Sequence, residues 1–229
     1  MKCYCYETET EFVFCAEGAN EKQEEGLKDA WWKKNGDRFL KIYPIIDTVH
    51  SAWYHNAEEK EAIKRNFARL GPSMFDGDFD WKSILLLLAE KFAENGIEWY
   101  IIGSVSEAVR GVQIKPHDLD IIVNTKDFFK VKTLFPENVV EPFVDNHGTW
   151  LVRYFGRLCV DGAIVDIAAD EKMNLESGQH RYEKAMWNGI ELWVEPLQDR
   201  YQVEIGRKRA DRINAIEAFM EKNKSCLDR

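Results

Sequence analysis

No apolar run in this chain approaches the roughly 18 residues that a membrane-spanning helix needs. The longest, Ile84 to Ala89, suits a buried helix. The opening Met1-Lys-Cys-Tyr-Cys5 lacks the apolar core of a secretion signal, so the expectation is a soluble, cytoplasmic protein with no membrane partner. There is no Gly-x-x-x-x-Gly-Lys-Ser/Thr loop, which argues against a P-loop ATPase. There is no serine-nucleophile elbow either. Excess positive charge is missing too. The formal net charge is −9, so bulk electrostatics imply no duplex nucleic acid partner. Residues 200–229 run the other way, with eight Lys/Arg against five Asp/Glu. The five cysteines, Cys3, Cys5, Cys15, Cys159 and Cys226, are odd in number and fit no common zinc spacing, so plain reduced thiols are expected. Neither do His50, His55, His147 and His180 form a recognisable zinc set.

What is present is enough apolar sequence for a core. The chain has 229 residues, 45% of them apolar and 31% charged, which suits one α/β (α+β) domain with a small appended unit. Residues 1–75 read as a small N-terminal α/β extension. It comprises a strand or hairpin over 3–15, a helix from Glu21 to Lys34, a strand from Phe39 to Ile46, and a helix from Glu58 to Leu70 stopped by Gly71-Pro72. Residues 76–229 form the second unit. Asp78 or Asp80 caps a helix that runs from Trp81 to Glu94 and ends at Asn95-Gly96. Strands follow at Ile97–Ile102 and Leu119–Val123. Thr125 is expected to cap a helix over Asp127–Phe135. Further strands are expected at Thr149–Phe155, Ala163–Ala168 and Ile190–Val194. Gly156 reads as a turn before an arm at Arg157–Val160, and Asp161-Gly162 as a tight turn. The last helical region, Gln198 to Lys222, is expected to break near Gly206.

The chemistry concentrates in Trp99-Tyr-Ile-Ile-Gly-Ser-Val-Ser-Glu-Ala-Val-Arg-Gly111 and Lys115-Pro-His-Asp-Leu-Asp-Ile-Ile-Val123. The first stretch reads as strand, glycine turn and short helix. Gly103 lets the backbone approach a phosphate closely. Ser104 can donate its hydroxyl, and the N–H groups of a helix start favour anions. Arg110, Lys115 and Arg207 are the cations that could reach phosphate oxygens. In the second stretch Asp118 and Asp120 lie two apart, so on a strand they share one face about 6–7 Å apart. Such a pair suits a hard cation, and magnesium favours one or two carboxylates plus substrate phosphates. Asp166, inside Ala163-Ile-Val-Asp-Ile-Ala168, is costly in so apolar a strand unless it meets a metal or a charge. A shared metal resolves that cost. A salt bridge with Arg153 or Arg157 is the alternative, and Asp161 is the rival third carboxylate.

Gly103-Ser104, Asp118-Leu-Asp120 and Asp166 together resemble the active-site pattern of the DNA polymerase beta-like nucleotidyltransferase superfamily. Within it, the chain most resembles small bacterial-type nucleotidyltransferases, including antibiotic-modifying and antitoxin-associated ones. Glu195-Pro-Leu197 and Gly206-Arg-Lys-Arg-Ala-Asp211 are similar to the segment that follows the catalytic sheet there. The match spans roughly residues 80–222. The resemblance implies a mixed β-sheet flanked by helices, and a magnesium site, or manganese in its place, made by Asp118, Asp120 and Asp166. Asp166 would also help deprotonate the acceptor, and Gly103 and Ser104 would hold the β- and γ-phosphates. The implied activity moves a nucleoside monophosphate from a nucleoside triphosphate, ATP first, to a hydroxyl acceptor. The alternative is a weakly active or inactive member acting as a nucleotide-binding or antitoxin-like module with a protein partner. One departure stands out: His117 occupies the position before Asp118 where many antibiotic-modifying relatives have serine.

Overall fold

The structure is a computed structural model that describes residues 1–46, 51–147, 152–170 and 182–227, the side chains of 170 and 224–227 excepted. His50, His180, the start of the strand expected at Thr149, and the side chain of Cys226 lie outside the described residues.

The N-terminal unit is a four-stranded antiparallel sheet. Its strands are β1 (Lys2–Glu7), β2 (Glu11–Glu17), β3 (Lys33–Asn35) and β4 (Arg38–Pro44), in the order β1-β2-β4-β3. The expected hairpin is therefore present as β1 and β2. β2 is central and buries Phe12 to Ala16 without a break, as a strand covered on both faces should. Three helices accompany the sheet: α1 (Glu21–Asp29), α2 (Ala52–His55) and α3 (Ala57–Met74). A reciprocal cap between Asn20 and Gln23 starts α1. This helix ends well before Lys34. Trp31 adopts a left-handed conformation (φ 67°), and the chain turns into β3, which pairs with β4 across Gly36 (φ 63°). α3 in turn runs through Gly71-Pro72 instead of stopping there. Pro72 costs one intrahelical bond near the helix end, and the carbonyl it frees belongs to exposed Ala68. Gly71 is needed for packing, because a Cβ there would lie 2.8 Å from Cys3.

The second unit begins with α4 (Trp81–Glu94), capped by Asp80 through the amides of Lys82 and Ser83. There follow β5 (Trp99–Ile102), α5 (Gly103–Arg110), β6 (Leu119–Asn124), α6 (Phe128–Leu134), β7 (Val139–Asp145), β8 (Tyr154–Val160), β9 (Ala163–Asp170), β10 (Glu183–Trp187), β11 (Ile190–Val194), α7 (Leu197–Arg207) and α8 (Ala210–Leu227). The strands form one sheet in the order β10-β11-β5-β6-β9-β8-β7. β11 pairs with β5, and β6 with β9, in parallel; the other pairs are antiparallel. This is the α/β architecture, a mixed sheet flanked by helices, that the resemblance implies.

Local departures have local causes. Asn124, not Thr125, caps the turn before α6. Gly156 is a strand residue, not a turn: it makes room for the Phe143 ring, which would collide with any Cβ there. The final helical region breaks at Lys208, which is left-handed (φ 56°). β7 and β10 had no expected counterpart.

One hydrophobic core runs through both units. α3 connects them, with Ile63 and Phe67 buried in that core. On the same helix, the Asn66 side-chain amide donates to the carbonyls of Pro136 (2.9 Å) and Val139 (3.1 Å).

Candidate active site

β6 is the strand that presents the carboxylates. Leu119 and Ile121 are fully buried in the core, so alternation places Asp118 and Asp120 on the opposite face. Asp120 stands in register with Ile102 on one neighbour and with Asp166 on the other. Adjacent strands lie about 4.8 Å apart, so Asp166 shares the face that carries Asp120. Immediately after Ile102 the chain turns into α5 at Gly103 (φ 67°). A side chain at 103 would strike Asp120 Oδ2. Glycine is thus required twice over, by the left-handed backbone and by the carboxylate against it.

Crowding alters these carboxylates. Burial, and then the neighbouring Asp166, push the Asp118 carboxyl up to about 6. Asp120 is raised well above the usual carboxylate range, by burial first and then by Asp118 and Asp166. Like charges this close disfavour joint ionisation.

Asp166 has a different partner. Arg157 donates from Nε to Oδ1 (2.6 Å) and from Nη2 to Oδ2 (2.8 Å). The alternative pairing with Arg153 does not occur, because Arg153 is held by Asp145 at 2.8 and 2.9 Å. Arg157 continues inward, and its Nη1 donates to Glu141 Oε1 (2.6 Å). Glu141 Oε2 meets Lys41 Nζ (2.7 Å) and the Tyr43 hydroxyl (2.7 Å), both from β4 of the N-terminal sheet. Burial alone would raise Glu141, but Arg157 and Lys41 outweigh it and hold the carboxyl down to about 2. Arg157 and Lys41 therefore pair with Asp166 and Glu141, while Asp118 and Asp120 form no side-chain ion pair among the described residues.

Their hard oxygen donors keep part of their surface open, and a magnesium-sized cation there would favour the ionised forms that burial and crowding disfavour. The donor chemistry fits such an ion. The arrangement is not a closed cage: among the described residues, no group of three or more His, Cys, Asp or Glu side chains is gathered to hold a metal.

The residues expected to meet phosphate, Gly103 and Ser104, open α5. Ser104 is buried, and its Oγ has no hydrogen-bond partner among the described residues. The Gly103 N–H donates to Glu195 Oε2 (3.1 Å). The three expected cations have the following surroundings. Arg110 sits at the far end of the eight-residue α5, roughly 10 Å along the axis at 1.5 Å per residue. There its Nη1 donates to the Ser106 carbonyl (3.1 Å) and its Nη2 to Glu183 (2.5 Å). Lys115 pairs with Asp78 (3.9 Å) beside an open hollow lined by Phe79, Trp81 and Lys82. Arg207 is exposed on the last turn of α7.

Sequence reasoning passed over a second charged cluster. Arg200 of α7, 6% exposed, lies 3.6 Å from Glu107, 3.7 Å from Glu195 and against Glu204. Arg212 of α8 reaches Glu107 at 3.1 Å. These pairs fasten α5 to both C-terminal helices. The i, i+4 spacing of Arg200 and Glu204 was the available signal; their burial was not readable.

No family model matches the sequence, and no curated protein matches it. Among solved structures, the chain is similar to a nucleotidyltransferase candidate from Thermotoga maritima, at 21% identity over 62% of this chain and 95% of that one, with a TM-score of 0.44. It is also similar to the lincosamide antibiotic adenylyltransferase LnuA bound to lincomycin, at 12% identity over 61% of this chain and 98% of that one, TM-score 0.47. A third is ANT(2'')-Ia in complex with adenylyl-2''-tobramycin, at 10% identity over 63% and 92%, TM-score 0.43.

Proposed function

We propose that this protein is a metal-dependent nucleotidyltransferase, which moves a nucleoside monophosphate from a nucleoside triphosphate to a hydroxyl acceptor and releases pyrophosphate. One observation carries the reading: the N-terminus of α5 at Gly103 abuts the Asp120 carboxylate, so an anion cradle and a hard-cation site adjoin. Electrophile and charge neutralisation are then supplied at one place.

In this reading Asp118 and Asp120 hold magnesium, or manganese, and Asp166 completes the set. The bound cation supplies charge neutralisation for the triphosphate. Each Asp166 oxygen, already accepting from Arg157, retains a second lone pair for a further partner. The amides at the start of α5 and the Ser104 hydroxyl orient the β- and γ-phosphates. The acceptor oxygen bonds to the α-phosphorus, the bond between the α-phosphorus and the bridging oxygen breaks, and pyrophosphate leaves with that oxygen. The acceptor proton passes to Asp166. ATP is the first nucleotide to test.

A second reading is a nucleotide-binding or antitoxin-like module with little turnover. It draws on the hold of Arg157 on Asp166 and of Glu195 on the Gly103 amide. Incubation with α-labelled ATP, magnesium and a panel of hydroxyl acceptors separates the two. Transfer of label that is lost in Asp120→Asn supports the enzyme. Magnesium-dependent binding without label transfer or pyrophosphate release supports the module.

A further inference from the structure

One side-chain oxygen of this protein occupies the N-terminus of α5. Glu195 Oε2 accepts the Gly103 N–H at 3.1 Å and lies 3.7 Å from Nη1 of Arg200. It thus bridges the positive end of α5 and a buried guanidinium. A helix start that captures a carboxylate is a working anion position. At the same helix start the buried Ser104 Oγ has no hydrogen-bond partner among the described residues.

We infer that Glu195 is an internal anion competing with the nucleotide's phosphate, and that Arg200 is the cation which receives that phosphate when Glu195 yields. The inference rests on the nucleotide reading of the site and deepens it. The exchange needs only a side-chain movement. The backbone of Glu195 is pinned to β5 by its own N–H, which donates to the Ile101 carbonyl at 2.8 Å. The Glu195 side chain is 17% exposed, so it is not sealed from solvent. Arg200 stays in place because Glu107 and Glu204 hold it from two other sides.

With Glu195 in place, one carboxylate oxygen serves both the Gly103 amide and Nη1 of Arg200. A phosphate carries more charge and more acceptor oxygens, so it can engage Gly103, Ser104 and Arg200 together. The occupied state is then a tax on affinity: apparent binding is weakened by the fraction of molecules in which Glu195 holds the position.

The test is calorimetric binding of magnesium-ATP and of inorganic tripolyphosphate to wild type, Glu195→Gln and Arg200→Lys, with the Gly103 amide resonance monitored as a check of the local fold. Release of one charge-assisted contact, about 1.4 kcal/mol, corresponds to tenfold. Glu195→Gln is therefore expected to bind both probes about tenfold more tightly, a gain that a merely structural glutamate would not produce. Arg200→Lys is expected to bind both more weakly. Binding by wild type that is unchanged or weaker in Glu195→Gln overturns the competition and leaves the nucleotide reading standing. Failure of wild type and Glu195→Gln alike to bind either probe overturns both.

Discussion

Arg157 grips both carboxylate oxygens of Asp166, at 2.6 and 2.8 Å, and the same guanidinium reaches inward to Glu141. A residue at the candidate active site is thereby wired to Lys41 and Tyr43 of the N-terminal sheet. The extension is part of the support of the site.

Arg157→Met should therefore destabilise the protein severely. It leaves Asp166 and Glu141 without their shared cation, and breaking a buried pair this way costs about 3–5 kcal/mol. Urea unfolding of the variant should show a midpoint shift of that size. A shift under about 1 kcal/mol, the value of an exposed pair, would mean that the network is not formed as described.

Asn66→Ala tests the joint between the two units. It removes two hydrogen bonds and leaves the Pro136 and Val139 carbonyls unpartnered. At about 1 kcal/mol for each bond, the loss should approach 2 kcal/mol. Hydrogen exchange should quicken in β7 together with α3. Faster exchange in α3 alone would separate the units.

Gly103→Ala should cost more in binding than in folding. The left-handed backbone penalises alanine by about 1 kcal/mol, whereas the new methyl also strikes Asp120 Oδ2. Magnesium-dependent ATP binding should fall at least tenfold while the variant remains folded by circular dichroism. Unaltered binding would remove Gly103 from the site.

Glu7 provides a pH test far from the carboxylates. Its hydrogen bond with Lys64 (2.5 Å), against a small burial cost and helped by Tyr54 (2.7 Å), holds the carboxyl down to about 2. A depressed folded-state value stabilises above the unfolded value near 4.5 and loses that contribution as pH falls toward 2. Melting curves from pH 6 to 2 should show the difference between wild type and Glu7→Gln shrinking through that window. A constant difference would contradict the ion pair.

Much of this was legible in the sequence because it was local. Strand alternation around Leu119 and Ile121 oriented Asp118 and Asp120, and a glycine between an apolar strand and a short helix marked the turn at 103. The Asp80 cap of α4 and the hairpin at the start of the chain were equally local. What was hidden depended on partners far away in the chain. Gly71-Pro72 resembles a helix stop until Cys3 is seen against Gly71. Gly156 resembles a turn until the Phe143 ring is seen over it. Arg110 was assigned to phosphate for nearness in sequence, yet it is spent on Glu183, and Arg200 lies beside Gly103 through Glu195. A charge's neighbours across a fold are not written in its local pattern.

The most direct test of the account is calorimetry of ATP binding with and without magnesium, for wild type and for Asp118→Ala/Asp120→Ala. The account predicts magnesium-dependent binding by wild type and its loss in the double variant. Equal binding by both proteins, or binding indifferent to magnesium, would contradict a metal-assisted triphosphate site at these carboxylates.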